Sequence, residues 1–288
     1  VNGTNFTLAG EQYTFLGADA YYLFDYGTNH TYYDDGTEVN GSQTQVLEIL
    51  DKAKTLNINA LRIWAGASGG NQTSALGSNW IQNKSGGHWN LFLNGNTTRY
   101  NETTFKGLDY AIYEASKRDI RVMLVPVNNW NEYGGKCWWV QQSPTTSKVG
   151  ASLCTDAFID QFYNDTWTVN AYQTYINYTL NRVNTYSGKV YKNDPAILSI
   201  MLMNEPRAKS PAGANHMLIR NWTINMTTFI KSQMSSTERP LIGLGIEGFG
   251  QQYSTTSSEG TDMINNTNGT GVDFATFELH PYQWNYLA

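Results

Sequence analysis

Charge is scarce in this sequence. Asp, Glu, Lys and Arg make up 15% of the 288 residues, and acidic residues outnumber basic ones, 24 to 19. A net charge of −5 offers no basic funnel to a phosphate backbone, so nucleic acid is not an expected partner. Long apolar runs are missing as well. The longest, Ile197 to Met203 with one serine inside, is far short of a membrane span. Cysteine is limited to Cys137 and Cys154, and two isolated cysteines make neither a structural zinc site nor a disulfide-built scaffold. The four histidines, His30, His88, His216 and His280, fall on separate segments without ligand spacing, so neither a metal nor a cofactor is expected.

What is present instead is apolar and aromatic. The 40% hydrophobic content supports a sizeable core and excludes disorder. Aromatics reach 14%, with 9 Trp and 19 Tyr, and flat amphipathic rings in place of charge suit neutral polar ligands such as sugars, although most such rings serve as core. Asn followed two residues later by Ser or Thr occurs 14 times, at Asn2, Asn5, Asn29, Asn40, Asn71, Asn83, Asn96, Asn101, Asn164, Asn177, Asn221, Asn225, Asn265 and Asn268. Chance placement would give about 5 such sites. The excess points to a secreted, N-glycosylated protein, with Asn/Thr-rich loops as the plainer explanation. No basic-then-apolar leader precedes Val1, so a signal peptide is taken as removed or never included. In an oxidising compartment Cys137 and Cys154 would pair, a link worth on the order of 3 kcal/mol; two buried free thiols are the alternative.

No linker, repeat or low-complexity tract divides the chain, which reads as one domain over residues 1–288. After a small hairpin turning at Ala9-Gly10, strand patterns alternate with helical ones. Strands are expected over Phe15–Tyr22, Ala60–Ala65, Ile120–Val127, Ile197–Met203, Leu241–Ile246 and Phe274–Leu279. Helices are expected over Gln43–Leu56, Phe105–Lys117, Tyr172–Val183 and about Met217–Met234, the first opened by a Ser42/Gln45 capping box. Several strands are continuously apolar, as when helices cover both faces, and repeated strand–helix units imply a parallel sheet, open or closed into a barrel. In the last helix Ile219, Trp222, Met226, Phe229 and Ile230 form the buried stripe, with Asn221 and Asn225 to one side of it.

Polar and aromatic groups gather at the carboxyl ends of these strands: Arg62 and Trp64, then Asn128 to Trp130, Asn204 to Arg207, Glu247, and Glu278 to Pro281 with Trp284 beyond. That is how a parallel barrel assembles an active site. Glu205 follows an apolar strand, where burial raises a carboxyl's proton affinity and suits it to acid/base work. An ion pair of Glu205 with Arg62 or Arg207 is the structural alternative. Gly66-Ala67-Ser68-Gly69-Gly70 fits a nucleophile-elbow pattern, but the Gly-, Ser- and Asn-rich stretch after it reads as loop rather than the helix an elbow needs.

At Asn204-Glu205-Pro206-Arg207 the chain resembles glycoside hydrolase family five, and within it the endo-β-1,4-mannanases of the fungal and plant type. The resemblance runs nearly end to end. It takes in Phe6, Leu8 and Gly10, Gly17 to Leu23, Leu61 to Ala65, Pro126 to Trp130 with Tyr133-Gly134-Gly135, and Arg182 to Asn184. It continues through Asp194 to Ile197, Gly245 to Phe249 and Asp273 to Thr276. It implies a (β/α)8 TIM barrel and retaining hydrolysis of a β-mannan-type polysaccharide by two glutamates, without metal. Glu205 would be the acid/base, Arg62 and Asn204 its immediate partners, and Trp130 and Trp284 the lining of a sugar cleft. Trp64, Asn128, Glu247 and His280 complete the expected substrate-binding set.

Two features depart from that pattern. The family's nucleophile lies on a seventh strand, and this sequence stops soon after its sixth, so the barrel looks truncated, with strands seven and eight and the nucleophile expected beyond Ala288 or a partner chain completing the barrel. At the sixth strand Glu278-Leu279-His280-Pro281 stands where the family has His, an apolar residue and Tyr-Pro. Glu278 thus brings a carboxyl to an imidazole's place, and His280 replaces a tyrosine. A catalytically inactive, glycosylated structural or carbohydrate-binding protein on the same barrel is the rival expectation.

Overall fold

The computed structural model describes residues 3, 5–29, 31–34, 37–67, 91–94, 97–147, 150, 153–210, 216–235, 239–248 and 259–278. The chain opens with the expected hairpin, β1 (Thr7–Leu8) against β2 (Glu11–Gln12). Then follow β3 (Gly17–Asp19), a single-turn helix α1 (Leu23–Tyr26), the antiparallel ribbon β4 (Thr31–Asp34) with β5 (Thr37–Asn40), and helix α2 (Gln43–Thr55). Next come β6 (Ala60–Trp64), a second ribbon of β7 (Leu91–Asn94) with β8 (Thr97–Tyr100), α3 (Glu102–Ser116) and β9 (Arg121–Val125). Helices α4 (Lys136–Gln142), α5 (Asp156–Ile159) and α6 (Thr166–Asn181) lead to β10 (Ile197–Met201), α7 (His216–Ser232), β11 (Leu241–Gly243) and α8 (Met263–Thr267).

Five strands, in the order β11-β10-β9-β6-β3, form one parallel sheet. Spatial order follows chain order, each neighbour reached through a helical crossover, the arrangement of a (β/α)8 barrel. The helices dock through the stripes read from the sequence. Val46, Leu50 and Ala53 of α2 are buried, as are Phe105, Leu108, Ile112 and Ala115 of α3 and Ile219, Trp222, Met226 and Ile230 of α7. Asn221 and Asn225 face solvent on the opposite side of α7. The start of α2 is a complete capping box: Ser42 Oγ accepts the Gln45 amide while the Gln45 side chain accepts the Ser42 amide. Cys137 and Cys154 are joined in a disulfide with Cα atoms 5.6 Å apart, tying α4 to the turn before α5.

The sixth strand expected over Phe274–Leu279 is not formed among the described residues. Its place is taken at the first step. Asp273 N–H donates to the Ile242 carbonyl at 2.8 Å, but its carboxylate then folds back and accepts the Ile242 amide, also at 2.8 Å. A side chain therefore occupies the backbone donor of β11 that an added strand would pair with. Residues 275–278 continue as irregular chain. The other strands end earlier than expected, although residues just beyond them stay hydrogen-bonded to their neighbours, as Leu202 N–H does to Gly243 O and Met203 N–H to Leu244 O.

Candidate active site

Strand alternation decides which side chains enter the barrel interior. On β6, Leu61 and Ile63 are buried in the hydrophobic core while Arg62 and Trp64 share the other face, the guanidinium carbon 6.0 Å from the indole centroid. Beyond β9 and β10 the two chains stay paired through a parallel bridge between Asn128 and Asn204. Asn204 N–H donates to Val127 O at 2.9 Å, and Asn129 N–H to Asn204 O at 3.0 Å. Glu205 comes next. Its φ of +47° puts a non-glycine residue in the left-handed region, a costly conformation of the kind that collects at functional sites. Its amide is secured by the Gly245 carbonyl at 2.9 Å. Gly245 (φ +80°) has to be glycine, since a Cβ there would lie 2.1 Å from the Met203 carbonyl oxygen.

The Glu205 side chain is half-buried, and its Oε2 accepts the Trp130 indole N–H at 2.6 Å. Trp130 is 40% exposed, leaving ring surface open to a ligand. Its loop turns back tightly against α4: a Cβ on Gly135 would come within 1.5 Å of the Trp130 carbonyl oxygen. Arg62 donates to Asn204 Oδ1 and to Asp19 Oδ2, the latter at 2.7 Å, and its Nη2 lies 3.1 Å from Glu278 Oε1. Burial pushes the Glu278 carboxyl up to about 7; Arg62 pulls the other way, and Glu205 and Asp19 add to the rise.

Behind this group Arg207 grips both oxygens of Glu247, Nε to Oε2 at 2.6 Å and Nη2 to Oε1 at 2.7 Å, and also bonds Glu259. Its guanidinium carbon lies 4.8 Å from the Trp130 ring centroid. Burial pushes the Glu247 carboxyl up while Arg207 opposes it. Lys136, fully buried beneath the Trp130 loop, donates to Arg207 O at 2.5 Å and faces Asp160 at 3.4 Å; burial brings its amine down to about 8.

The structure thus brings Arg62, Asn204 and Trp130 around Glu205. Three other expected residues are placed within the protein's own hydrogen bonds and packing. Asn128 and Glu247 are not open to a ligand. Asn128 accepts from Asn204 at 2.9 Å and donates to Glu132 O at 3.3 Å, and both Glu247 oxygens belong to Arg207. Trp64 is buried, 5.7 Å from the Tyr133 ring, and supports Arg62 from beneath. Phe249, His280, Trp284 and the Gly66–Gly70 pattern from Ser68 onward lie outside the described residues, as do Asn2, Asn71, Asn83 and Asn96. Asp19 joins the site without having been singled out, and Glu278, noted at the sixth strand, joins it through Arg62. Both are carboxyls near strand ends, the same signal that marked Glu205. Among the described residues no His, Cys, Asp and Glu cluster could hold a metal ion, and no helix is long and apolar enough to cross a membrane.

At the end of a parallel strand, a half-buried carboxyl is thus held by an indole N–H and flanked by an arginine–asparagine pair. The chain belongs to the GH family 5 beta-mannosidase-like group, whose family model matches residues 1–288. It is 32% identical to mannan endo-1,4-beta-mannosidase 4 of Solanum lycopersicum over 98% of its own length and 62% of that protein's. It is 30% identical to mannan endo-1,4-beta-mannosidase 1 of Arabidopsis thaliana, covering 98% and 61%. The chain therefore spans about three fifths of the length of the curated relatives it matches. Among solved structures, the endo-1,4-beta-mannanase of Rhizomucor miehei superposes with a TM-score of 0.77 at 25% identity, over 99% of this chain and 72% of that one.

Proposed function

We propose that this chain carries the acid/base part of a retaining glycosidase acting on β-1,4-linked mannan. One observation carries the reading: Glu205 stands at the carboxyl end of β10, strained, half-buried and hydrogen-bonded by Trp130 beside Arg62 and Asn204. Protonated Glu205 would give its proton to the glycosidic oxygen as the carbon–oxygen bond breaks and a second carboxylate bonds the anomeric carbon. Ionised Glu205 would then take a proton from water, whose oxygen displaces that carboxylate and regenerates both groups.

Retaining chemistry needs its two carboxyls about 5–5.5 Å apart, room for an anomeric carbon between them. Both oxygens of Glu247 are clamped by Arg207, so Glu247 is not placed as nucleophile, and the reading assigns that role to a residue outside this sequence. Relatives named as mannan endo-1,4-beta-mannosidases support the substrate class. The exposed positions of Asn164, Asn221, Asn225 and Asn268 support the inference of a secreted glycoprotein, which mass spectrometry before and after enzymatic deglycosylation would test.

The test of the hydrolytic reading is release of reducing ends from β-mannan by the full-length protein. Turnover that is lost in Glu205→Gln is expected. No turnover, or turnover indifferent to that substitution, overturns it; mannan binding without turnover would favour a carbohydrate-binding role instead.

A further inference from the structure

Residues 205–210 leave β10 as irregular chain, yet buried side chains from α4 and from the single 3-10 turn Asp160–Tyr163 hold their backbone. Lys136, the first residue of α4, has a fully buried side chain. Its amide donates to Asn128 O at 3.0 Å, which sets it beside the end of β9. Its ammonium has three hydrogens and meets three acceptors: Arg207 O at 2.5 Å, the Tyr163 hydroxyl at 3.3 Å and Asp160 Oδ1 at 3.4 Å. The Tyr163 hydroxyl donates in turn to Arg207 O at 2.9 Å, and Asp160 Oδ2 accepts the Ser210 amide at 2.8 Å. From the β9 side, Asn129 Oδ1 accepts the Arg207 amide at 3.2 Å.

The backbone gripped in this way lies two residues past Glu205. Pro206 stands between them with its φ fixed by its ring, so little rotation separates the setting of Arg207 from that of Glu205. The Arg207 side chain makes a second connection: its guanidinium carbon lies 4.8 Å from the centroid of Trp130, whose indole N–H donates to Glu205 Oε2 at 2.6 Å. Burying an ammonium and a carboxylate costs about as much as their attraction returns, so stability alone gives no reason for the pair here. We propose that Lys136, together with Tyr163, is a positioning residue for Glu205: by holding the Arg207 carbonyl it keeps Glu205 in its left-handed backbone setting and its carboxyl at the Trp130 indole. The proposal rests on Glu205 being the acid/base. With the grip released, that carboxyl drifts from the glycosidic oxygen, and proton transfer suffers more than substrate binding.

The test uses the full-length protein and two substrates sharing one β-mannooligosaccharide portion. In one the leaving group is a sugar, which needs a proton; in the other it is dinitrophenolate, which departs without one. The double variant Lys136→Met/Asp160→Asn removes both charges while keeping side-chain size and an acceptor for Ser210. Its kcat/KM for the sugar leaving group should fall by about 10- to 100-fold, mostly through kcat, and that for the dinitrophenyl substrate should stay near wild type. An equal fractional loss on both substrates, or no loss on either, overturns the proposal. Tyr163→Phe removes one donor to Arg207 and keeps the ring, so a smaller loss with the same dependence on leaving group is expected. That variant decides the matter should circular dichroism show the double variant unfolded. Failure of the acid/base reading shows separately, as mannan hydrolysis that Glu205→Gln leaves intact.

Discussion

Two buried carboxylates in this molecule are treated in opposite ways. Asp109, on α3, is met by donors on every side. Arg182 contributes Nε and Nη2, each at 2.8 Å, Tyr191 its hydroxyl at 2.7 Å, and Thr185 its amide and hydroxyl at 3.1 and 2.9 Å. Together they lock α3 to the end of α6 and to the loop before β10. Glu278, at the site, is the other case: its Oε1 lies 3.1 Å from Arg62 Nη2, and burial, with the charges of Glu205 and Asp19, raises its carboxyl to about 7. A carboxylate whose donors match its lone pairs has nothing left to offer a substrate and acts as structure. One whose proton affinity is raised toward neutrality can exchange a proton, and chemistry becomes possible there.

The largest expected effect separates function from stability. Glu205→Gln in the full-length protein should lower kcat for mannan hydrolysis by about 10²–10⁴, the range for loss of a general acid/base, while the urea midpoint stays near wild type. Asp109→Ala should do the opposite. It leaves Arg182 with Glu102 as its remaining acidic partner and should cost about 3 kcal/mol in urea unfolding, with kcat per folded molecule unchanged. Equal stability losses in the two variants would erase the distinction between the clusters.

How far these clusters could be read from the sequence follows from what carries each signal. Glu205, Arg62, Asn204 and Trp130 stand at ends of apolar runs, and period-two alternation says that Arg62 and Trp64 share a face. The capping box of α2 is local chemistry and forms as read. Helix α4 gave no such warning: Gly135 at its start offers no side-chain cap, and residues 136–140 are buried on all sides. At the start of the expected sixth strand one side chain, Asp273, takes a backbone donor of β11, which a run of apolar residues does not reveal. The placing of Glu278 beside Arg62 was illegible too. Once residues 275–278 cease to be a strand, alternation no longer says where Glu278 points.

A pH effect on stability sharpens the contrast. The Glu278 carboxyl is raised in the folded state from 4.5 to about 7, so the native protein binds more protons than the unfolded chain between those values. The stabilisation is therefore complete below about pH 4.5 and is lost as pH rises through 7, a change of up to about 3 kcal/mol. Urea midpoints measured at pH 5 and pH 7.5 should differ in this sense in the wild type, and the difference should shrink in Glu278→Gln. A slope that survives the substitution would place the titrating group elsewhere, Glu247 being the first to examine since burial raises it too.

The smallest effect concerns the donor that both roles of Glu205 depend on. Trp130→Phe keeps an aromatic face beside Arg207 but removes the indole N–H from Glu205 Oε2. A hydrogen bond to a charged group contributes about 1.5 kcal/mol or more, so kcat/KM should fall by about tenfold. The loss should arise in the step in which Glu205 gives up its proton, because the N–H stabilises the developing carboxylate and not the acid. The alkaline limb of the kcat/KM profile of Trp130→Phe should accordingly move to higher pH. A limb that stays in place would mean that the indole N–H does not hold the ionised form of Glu205.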